Sequence, residues 1–289
     1  MLRERPVRLA WMIVCGLAVV SLLTAALARD LVELGPVLLE TTSEYSRIRV
    51  RERAGVRTLS FVRDSGEEVI ESQVDLRRPD DLVLPYTRAM FLSYLYQPQP
   101  RRVLIVGLGG GAMVHFLRRH DPDLQVDVVE IDPTVVQIAD RYFGVRSEGR
   151  TRIITQDAFA YFPEVQEPYD VIYMDAFLKP SDETDSTGVP LRLKTTNFYR
   201  GVREKLTPEG IMVFNINPHP QVGDDVAAIR EAFPALDLFR LQPGQGFVAI
   251  GAQREQVLGP RELSDRAAQL DRRFRTTFSF RQLARARVK

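Results

Sequence analysis

Apolar runs alternate with helical hydrophobic periods along residues 98–252 of the chain. The apolar runs predict strands at 103–107, 126–131, 152–156, 170–175, 210–216, 236–241 and 246–252. The helical periods between them predict helices at 111–120, 133–142, 195–206 and 223–233, with one short helix after the third strand. Strands that alternate with helices in this way form a mainly parallel sheet with both faces covered. We therefore predict an α/β fold, a Rossmann-like doubly wound sheet.

The end of this predicted sheet departs from simple alternation. Only residues 242–246, Gln-Pro-Gly-Gln-Gly, separate the last two predicted strands. The connection is too short for a crossover helix, so the last strand should run antiparallel to its neighbour. This ending favours a class I methyltransferase-type sheet over the sheet of an NAD-dependent dehydrogenase.

A different pattern precedes the sheet. Residues 47–51 alternate polar and apolar side chains, residues 64–66 form a turn signal, and residues 68–71 return as a second strand. This pattern predicts a small N-terminal antiparallel β unit. The predicted division of the chain is a targeting segment (1–28), the β unit with a linking helix (40–97), a nucleoside-binding domain (98–253) and a basic helical tail (254–289).

The tail carries apolar residues at helical spacing among many arginines. These apolar residues are Leu263, Ala267, Leu270 and Phe274. The spacing predicts a solvated amphipathic helix, which we favour over a nucleic-acid-binding arm.

Residues 9–28 contain no charged side chain. A stretch of this length suffices to cross a hydrocarbon core of ~30 Å. Arginines precede it and acidic residues predominate after it, which predicts that the globular part lies outside the cytoplasm. Residues 26–28, Ala-Leu-Ala, also suit a cleavage site, so a membrane anchor and a cleaved signal peptide both stay open.

Composition excludes several classes of partner. The chain has 39 Lys and Arg against 38 Asp and Glu, a net charge of +1, and so no general attraction to nucleic acid. Its single cysteine, Cys15, rules out an intrachain disulfide. The three histidines, His115, His120 and His219, are scattered without cysteine companions, so we predict no metal site.

A glycine-rich turn follows the first strand of the predicted sheet. Gly107 and Gly109 permit backbone angles and a close ligand approach that a Cβ would block. The second strand ends at Glu130, 21 positions after Gly109, where a carboxylate is placed to accept both ribose hydroxyls of a nucleoside. A tight turn without a ligand is the alternative for the glycines.

Carboxylates fall at the ends of three predicted strands: Glu130, Asp132, Asp157 and Asp175. The carboxyl ends of parallel strands line the ligand crevice, so these groups should meet. Asp157 is expected to accept a hydrogen bond from an adenine amino group, with a helix N-cap as its alternative. Asp175 is expected to face an acceptor substrate, with a carboxylate held by loop amides as its alternative.

Together these residues resemble the polyamine aminopropyltransferases, the spermidine synthase family. The resemblance runs from about Tyr45 to Gln253 and rests on the β unit, Gln73 with Asp75, Tyr86, the glycine turn, Glu130 to Asp132, Asp157 with Ala158, residues 169–172 and Asp175. It implies that decarboxylated S-adenosylmethionine donates an aminopropyl group to a small amine, without a metal. A homodimer is a further expectation.

The resemblance also implies roles for individual residues. Gln73 would lie near the donor, and Gly107, Gly109, Glu130, Asp132, Asp157 and Ala158 would bind its nucleoside. Tyr86 would help to hold the acceptor. Asp175 would deprotonate or orient the attacking amine, which must lose a proton before attack.

The chain departs from the family pattern at three positions. Gly110 stands where the family has an Asp that contacts the donor, Arg88 replaces an acidic residue, and Leu178 replaces a second Asp after Asp175. Arg88 would repel a diamine if it faced the pocket. The loop acids Asp182, Glu183 and Asp185 offer compensation, although a mobile polar loop is the simpler interpretation.

These departures leave alternative functions open. An S-adenosylmethionine-dependent methyltransferase on the same scaffold is the nearest, because Gly110 leaves space for a methionyl carboxylate. A non-catalytic extracytoplasmic protein that binds a nucleoside or polyamine is the second.

Overall fold

The computed structural model describes residues 34–255 and 258–288. No helix within these ranges is long and apolar enough to span a bilayer. The expected membrane-targeted, extracytoplasmic localisation is corrected on this finding. The uncharged segment 9–28, on which that prediction depended, lies outside the described residues.

The N-terminal unit is an antiparallel sheet of four strands in chain order. Its strands are β1 Val37–Thr42, β2 Arg47–Arg53, β3 Val56–Val62 and β4 Glu68–Asp75. Strand β1 lies at the edge of this sheet, where its side chains are mostly exposed, and its apolar pattern is correspondingly weak. Helix α1, Pro85–Met90, and a 3-10 helix, Phe91–Leu95, connect this sheet to the rest of the chain.

The larger sheet carries the predicted parallel strands. They are β5 Arg102–Val106, β6 Gln125–Glu130, β7 Thr151–Thr155, β8 Tyr169–Met174, β9 Leu206–Ile216, β10 Ala235–Arg240 and β11 Phe247–Ala252. Their order across the sheet is β10-β11-β9-β8-β5-β6-β7. Strands β5 to β9 run parallel, whereas β11 runs antiparallel to both β9 and β10. The predicted doubly wound, methyltransferase-type sheet is confirmed.

Helices cover both faces of this sheet. They are α2 Ala112–His120, α3 Pro133–Phe143, α4 Ala158–Glu164, α5 Thr196–Arg203 and α6 Val222–Ala232. Alternate residues of β5 enter opposite cores: Val103 and Ile105 pack in one, and Leu104 and Val106 in the other. A strand buried on both faces is apolar throughout, which is why the strand positions were readable from the sequence.

The C-terminal tail packs onto one of these cores. Helix α7, Pro260–Phe274, buries the four apolar residues predicted to form its stripe, and a short helix α8, Phe280–Ala284, follows. The ring of Phe274 meets that of Tyr94 edge-on, with centroids 4.9 Å apart. The predicted amphipathic helix is present, and its apolar face is buried in the fold rather than solvated.

The strand order reverses around β5, which has β6 on one side and β8 on the other. In open α/β sheets, ligands bind in the crevice at the carboxyl ends of the strands beside such a reversal.

Candidate functional site

A cleft opens at this point of the sheet. Its wall contains the following predicted site residues: Tyr86, Gly107, Gly109, Glu130, Asp157, Ala158 and Asp175. Gln73 and Asp132 do not line it. The cleft therefore brings together the glycine turn and three of the four strand-end carboxylates.

The glycine turn forms the floor of the cleft. Gly107 has φ +95°, and a Cβ built on it would lie 2.2 Å from the carbonyl oxygen of Asp175. Gly109 and Gly111 also have positive φ values, of +51° and +72°. The chain can turn from β5 into α2 here because these glycines carry no Cβ.

Glu130 lies at the end of β6, 7% exposed. Its Oε2 accepts a hydrogen bond from the amide of Leu108 at 2.9 Å, and its Oε1 accepts one from the amide of Asp132 at 2.9 Å. Burial raises the pKa of Glu130 to about 7, against the opposing effect of these amides. Each carboxylate oxygen can accept a second hydrogen bond, so the group can hold the glycine turn and a ligand together.

Asp132, unlike Glu130, makes its hydrogen bonds within the protein and not towards the cleft. Its Oδ1 accepts from the amide of Thr134 at 2.8 Å, which makes it the N-cap of α3. The hydroxyl of Ser43 donates to its Oδ2, so Asp132 also joins the N-terminal sheet segment to the larger sheet. With 2% of its surface exposed, it caps a helix and does not face the cleft.

Asp157 caps a helix and also lines the cleft. Its Oδ1 accepts from the amide of Phe159 at 3.0 Å and caps α4, which was the alternative considered for this residue. Its Oδ2 pairs with Arg192 at 2.8 Å, and Arg192 also lines the cleft. The guanidinium of Arg192 lies 5.5 Å from the ring centroid of Phe159. Arg192 lies in a 3-10 helix, Leu191–Lys194, between β8 and α5, and nothing in its local sequence marks it.

Asp175, just beyond the end of β8, is held by two side chains. The hydroxyl of Tyr86 donates to its Oδ2 at 3.2 Å, and Nδ2 of Asn215 donates to its Oδ1 at 2.8 Å. These partners replace the loop amides of the alternative interpretation. Burial raises the pKa of Asp175 to about 6, although both hydrogen bonds act to lower it.

Glu71 is a cleft residue that the sequence analysis missed. Burial, reinforced by the nearby charge of Asp175, raises its pKa to about 8. Leu59 pairs with Ser72 and Ser60 pairs with Ile70, so Glu71 is the extra residue of a β-bulge.

The bulge explains why Gln73 lies away from the cleft. A single extra residue moves the alternation of a strand to the opposite face. Gln73 instead donates to the hydroxyl of Thr58 at 3.0 Å and borders a separate surface hollow. Glu71 and Ser72 therefore occupy the part of the cleft that was expected for Gln73.

The structure shows the surroundings of the three residues that depart from the family pattern, Gly110, Arg88 and Leu178. A Cβ on Gly110 would lie 2.9 Å from the Phe143 ring and 2.9 Å from Oγ of Ser72, so the turn has no room for a side chain there. Arg88 points away from the cleft, because its guanidinium donates to the carbonyls of Leu82 at 2.6 Å and Val83 at 3.1 Å. Leu178 lines the cleft as an apolar residue.

The loop after Asp175 contributes one acid to a second cluster. Nζ of Lys194 lies 2.5 Å from Asp185 and 2.7 Å from Asp225. Nδ1 of His219 accepts from the amide of Gln221 at 3.2 Å, which leaves Nε2–H to donate to Asp225 at 2.7 Å. Asp185, His219 and Asp225 are close enough to hold a metal ion, but the ammonium of Lys194 lies between the two carboxylates.

Asp182 and Glu183, by contrast, are exposed and do not line the cleft. The loop acids therefore do not restore the acidic residue that is missing at Leu178.

Comparison with known proteins identifies relatives of this chain. The spermine/spermidine synthase domain matches residues 86–225. A polyamine aminopropyltransferase of Vibrio vulnificus is 32% identical over 214 residues, which cover 73% of this chain and 69% of that enzyme. The chain spans 60% of the length of the polyamine aminopropyltransferase of Chromobacterium violaceum and 62% of that of Neisseria meningitidis.

Solved structures share the fold. A probable spermidine synthase from Corynebacterium glutamicum superposes with a TM-score of 0.66 at 21% identity, over 82% of this chain and 88% of that one. Human methyltransferase-like protein 13, solved in complex with SAH, superposes with a TM-score of 0.62 at 25% identity, over 68% of this chain and 95% of that one. These structures show the shared fold, and the sequence match to the Vibrio enzyme shows that the chain belongs to the spermine/spermidine synthase family of polyamine aminopropyltransferases.

Proposed function

We propose that this protein is a transferase that uses an adenosyl sulfonium donor and moves an aminopropyl or a methyl group to an amine. The observation that carries the proposal is the single cleft that has the glycine turn and Glu130 on one side and Asp175 on the other. A nucleoside bound at the turn would direct its sulfonium towards Asp175. The predicted homodimer stays a prediction.

The donor half of the cleft supplies groups suited to a nucleoside. Glu130 keeps one acceptor site on each oxygen for the two ribose hydroxyls. Asp157 and Ala158 begin α4 at the neighbouring part of the wall, where an adenine ring would lie. Gly107 and Gly109 allow the ligand to approach the backbone closely.

Asp175 is proposed to prepare the acceptor for attack. An amine enters mostly as an ammonium ion and must release a proton before its nitrogen can attack. The nitrogen lone pair then forms a bond to the carbon beside sulfur, the carbon–sulfur bond breaks, and sulfur keeps that electron pair as a neutral thioether. The proton released by the nitrogen goes to Asp175 and from there to solvent.

The neighbours of Asp175 suit this role. With its pKa at about 6, Asp175 is largely ionised at neutral pH and can accept a proton. Glu71, with its pKa at about 8, is largely neutral there and adds no second negative charge. Nδ2 of Asn215 donates to Oδ1 of Asp175 at 2.8 Å and so holds the carboxylate in place.

A methyltransferase is the second candidate. The family's donor-binding Asp is absent at Gly110, but Phe143 and Ser72 fill the space there that was expected to take a methionyl carboxylate. Methyltransferase-like protein 13 shares the fold and was solved with SAH.

Calorimetric titration with methylthioadenosine, S-adenosylmethionine and its decarboxylated form tests the proposal. We expect methylthioadenosine to bind the parent, and Glu130→Gln to weaken its binding by about 1.5–3 kcal/mol, because charge-assisted hydrogen bonds to ribose are lost. Glu164→Gln, an exposed glutamate at the end of α4, is the matched control. Equal affinities in a folded Glu130→Gln protein would remove the nucleoside assignment, and the preferred donor separates the two activities.

The rate should depend on pH through Asp175. Only the ionised carboxylate accepts a proton, and its raised pKa of about 6 means that activity is lost as the pH falls through that value. At saturating donor, kcat/KM for the acceptor should rise about tenfold from pH 5 to pH 7. A parent profile that stays flat over this interval would contradict the assignment of Asp175 as the base.

A further inference from the structure

Glu71 is a cleft residue to which the proposed function assigns no substrate contact, and the inference drawn from it rests on that function. Its side chain lines the cleft. Within the described part of the chain, no group donates a hydrogen bond to its carboxylate, and Arg63 acts on it only as a nearby charge. The carboxylate of Glu71 is therefore open to a ligand.

The β-bulge places Glu71 between the glycine turn and Asp175. Ser72, the next residue, contacts the turn: its Oγ lies 2.9 Å from the position of a Cβ on Gly110. On the other side, the carboxylates of Glu71 and Asp175 are close enough to interact. The hydroxyl of Tyr86, which is hydrogen-bonded to Asp175, lies 3.3 Å from the carbonyl oxygen of Glu71. The side chain of a donor whose nucleoside lies at the turn and whose sulfonium faces Asp175 would therefore pass Glu71.

The charges of the cleft wall favour a cation at this place. Among the described residues that line the cleft, the acids are Glu71, Glu130, Asp157 and Asp175, and the base is Arg192. Arg192 pairs with Asp157, in the part of the wall proposed for adenine. The wall offers no cation beside Glu71 and Asp175, so a cationic group of a ligand is attracted there and an anionic group is not.

We propose that Glu71 binds the terminal ammonium of the donor's side chain, and that the donor is decarboxylated S-adenosylmethionine. Glu71 then supplies the carboxylate that is absent at Gly110, where Phe143 and Ser72 leave no space for a side chain. S-adenosylmethionine carries a carboxylate on the carbon that bears its ammonium. Its binding would bring that carboxylate against Glu71 and Asp175 without a cation in the wall to compensate.

The ammonium also balances the charge of Glu71. In the free protein Glu71 is largely neutral at neutral pH, because burial raises its pKa to about 8. A cation in contact with a carboxyl group favours its ionised form. The ion pair of Glu71 with the donor is then neutral overall, so Asp175 can still accept the proton of the acceptor amine.

Calorimetric titration of three adenosyl sulfonium ions into the full chain tests the proposal. Decarboxylated S-adenosylmethionine carries the ammonium chain, and S-adenosylmethionine carries the same chain with a carboxylate. The third compound, 5′-deoxy-5′-dimethylsulfonioadenosine, keeps the nucleoside and the sulfonium but has no ammonium. We expect the decarboxylated form to bind the parent at least about tenfold more tightly than either of the others.

A variant assigns this preference to Glu71. Glu71→Gln keeps the shape of the side chain and removes its charge. It should weaken the decarboxylated form about 10- to 100-fold, the range for a hydrogen bond between charged groups. Binding of 5′-deoxy-5′-dimethylsulfonioadenosine should not change, because that compound has no ammonium. Glu67→Gln is the matched control, a glutamate just before β4 whose side chain is 61% exposed, and it should bind all three compounds as the parent does.

The proposal is overturned if the parent binds the decarboxylated form no more tightly than the other two compounds, a result that needs no variant. It is also overturned if folded Glu71→Gln binds the decarboxylated form as the parent does. If that variant instead binds 1,4-diaminobutane more weakly in the presence of methylthioadenosine, Glu71 serves the acceptor and not the donor. Failure of the proposed function looks different, because then neither methylthioadenosine nor any of the three sulfonium ions binds the parent.

Discussion

Asp175→Asn is expected to lower kcat/KM by about 10²–10⁴-fold, the usual cost of removing a positioned proton acceptor. The substitution keeps the shape of the side chain. The new amide can still present its oxygen to Nδ2 of Asn215 and its NH2 group to the hydroxyl oxygen of Tyr86, so both partners of Asp175 stay satisfied. The loss would therefore report the missing base rather than a disturbed cleft.

The decisive readout is the separation of rate from donor binding. Asp175 lies on the acceptor side of the glycine turn, so methylthioadenosine affinity should change by less than about threefold. Asp182→Asn, an exposed aspartate in the following loop, is the control and should keep parental activity. If transfer survives Asp175→Asn, or if donor affinity collapses with it, Asp175 is not the acceptor-side base.

Gly107→Ala is expected to remove both stability and nucleoside binding. The new Cβ would lie 2.2 Å from the carbonyl oxygen of Asp175 at φ +95°. Either β5 or the chain after β8 must move, and the backbone angle is strained for any residue with a side chain. We expect a loss of about 2–5 kcal/mol in the free energy of unfolding, measured by denaturant titration.

Gly201→Ala is the matched control for that substitution. Gly201 lies inside α5, and a Cβ built on it has no neighbouring atom within 4 Å. Alanine is favoured over glycine within a helix, so this variant should be as stable as the parent or slightly more stable. A Gly107→Ala protein that matched the Gly201→Ala protein in stability and in methylthioadenosine affinity would show that the turn tolerates a side chain.

The larger sheet was predictable because its strands are buried on both faces. Six of its seven strands begin and end within one residue of their predicted bounds, and the seventh, β9, begins earlier, at Leu206. Continuous apolar runs mark such strands clearly. Strand β1, at an exposed sheet edge, has no such run and was missed.

The candidate site was predictable where topology alone positions its residues. The glycine turn, Glu130, Asp157 and Asp175 follow the ends of parallel strands, and such ends meet at one edge of a sheet. Asn215 also ends a neighbouring strand and carries a polar side chain, so the same rule would have found it. Arg192 had no comparable signal, because its place depends on how the loop after β8 folds back.

Asp132 and Gln73 show two limits of the same rule. Asp132 follows a strand end, but its carboxylate caps the first turn of α3. The sequence alone does not distinguish a carboxylate that caps a helix from one that binds a ligand. Gln73 lies on a strand whose alternation is interrupted at Glu71. Pairing with β3 determines where that interruption falls, and no local residue pattern records it.

The bulge at Glu71 means that the part of the cleft wall formed by β4 depends on the number of residues in this strand as well as on their identity. Because one extra residue decides which side chains of β4 face the cleft, a single deletion there would exchange the residues on the wall without altering any of them. Relatives with the same strand residues but without the bulge would present different chemistry to the substrates. Alignment of residue types alone is therefore a poor guide to substrate choice in this part of the fold.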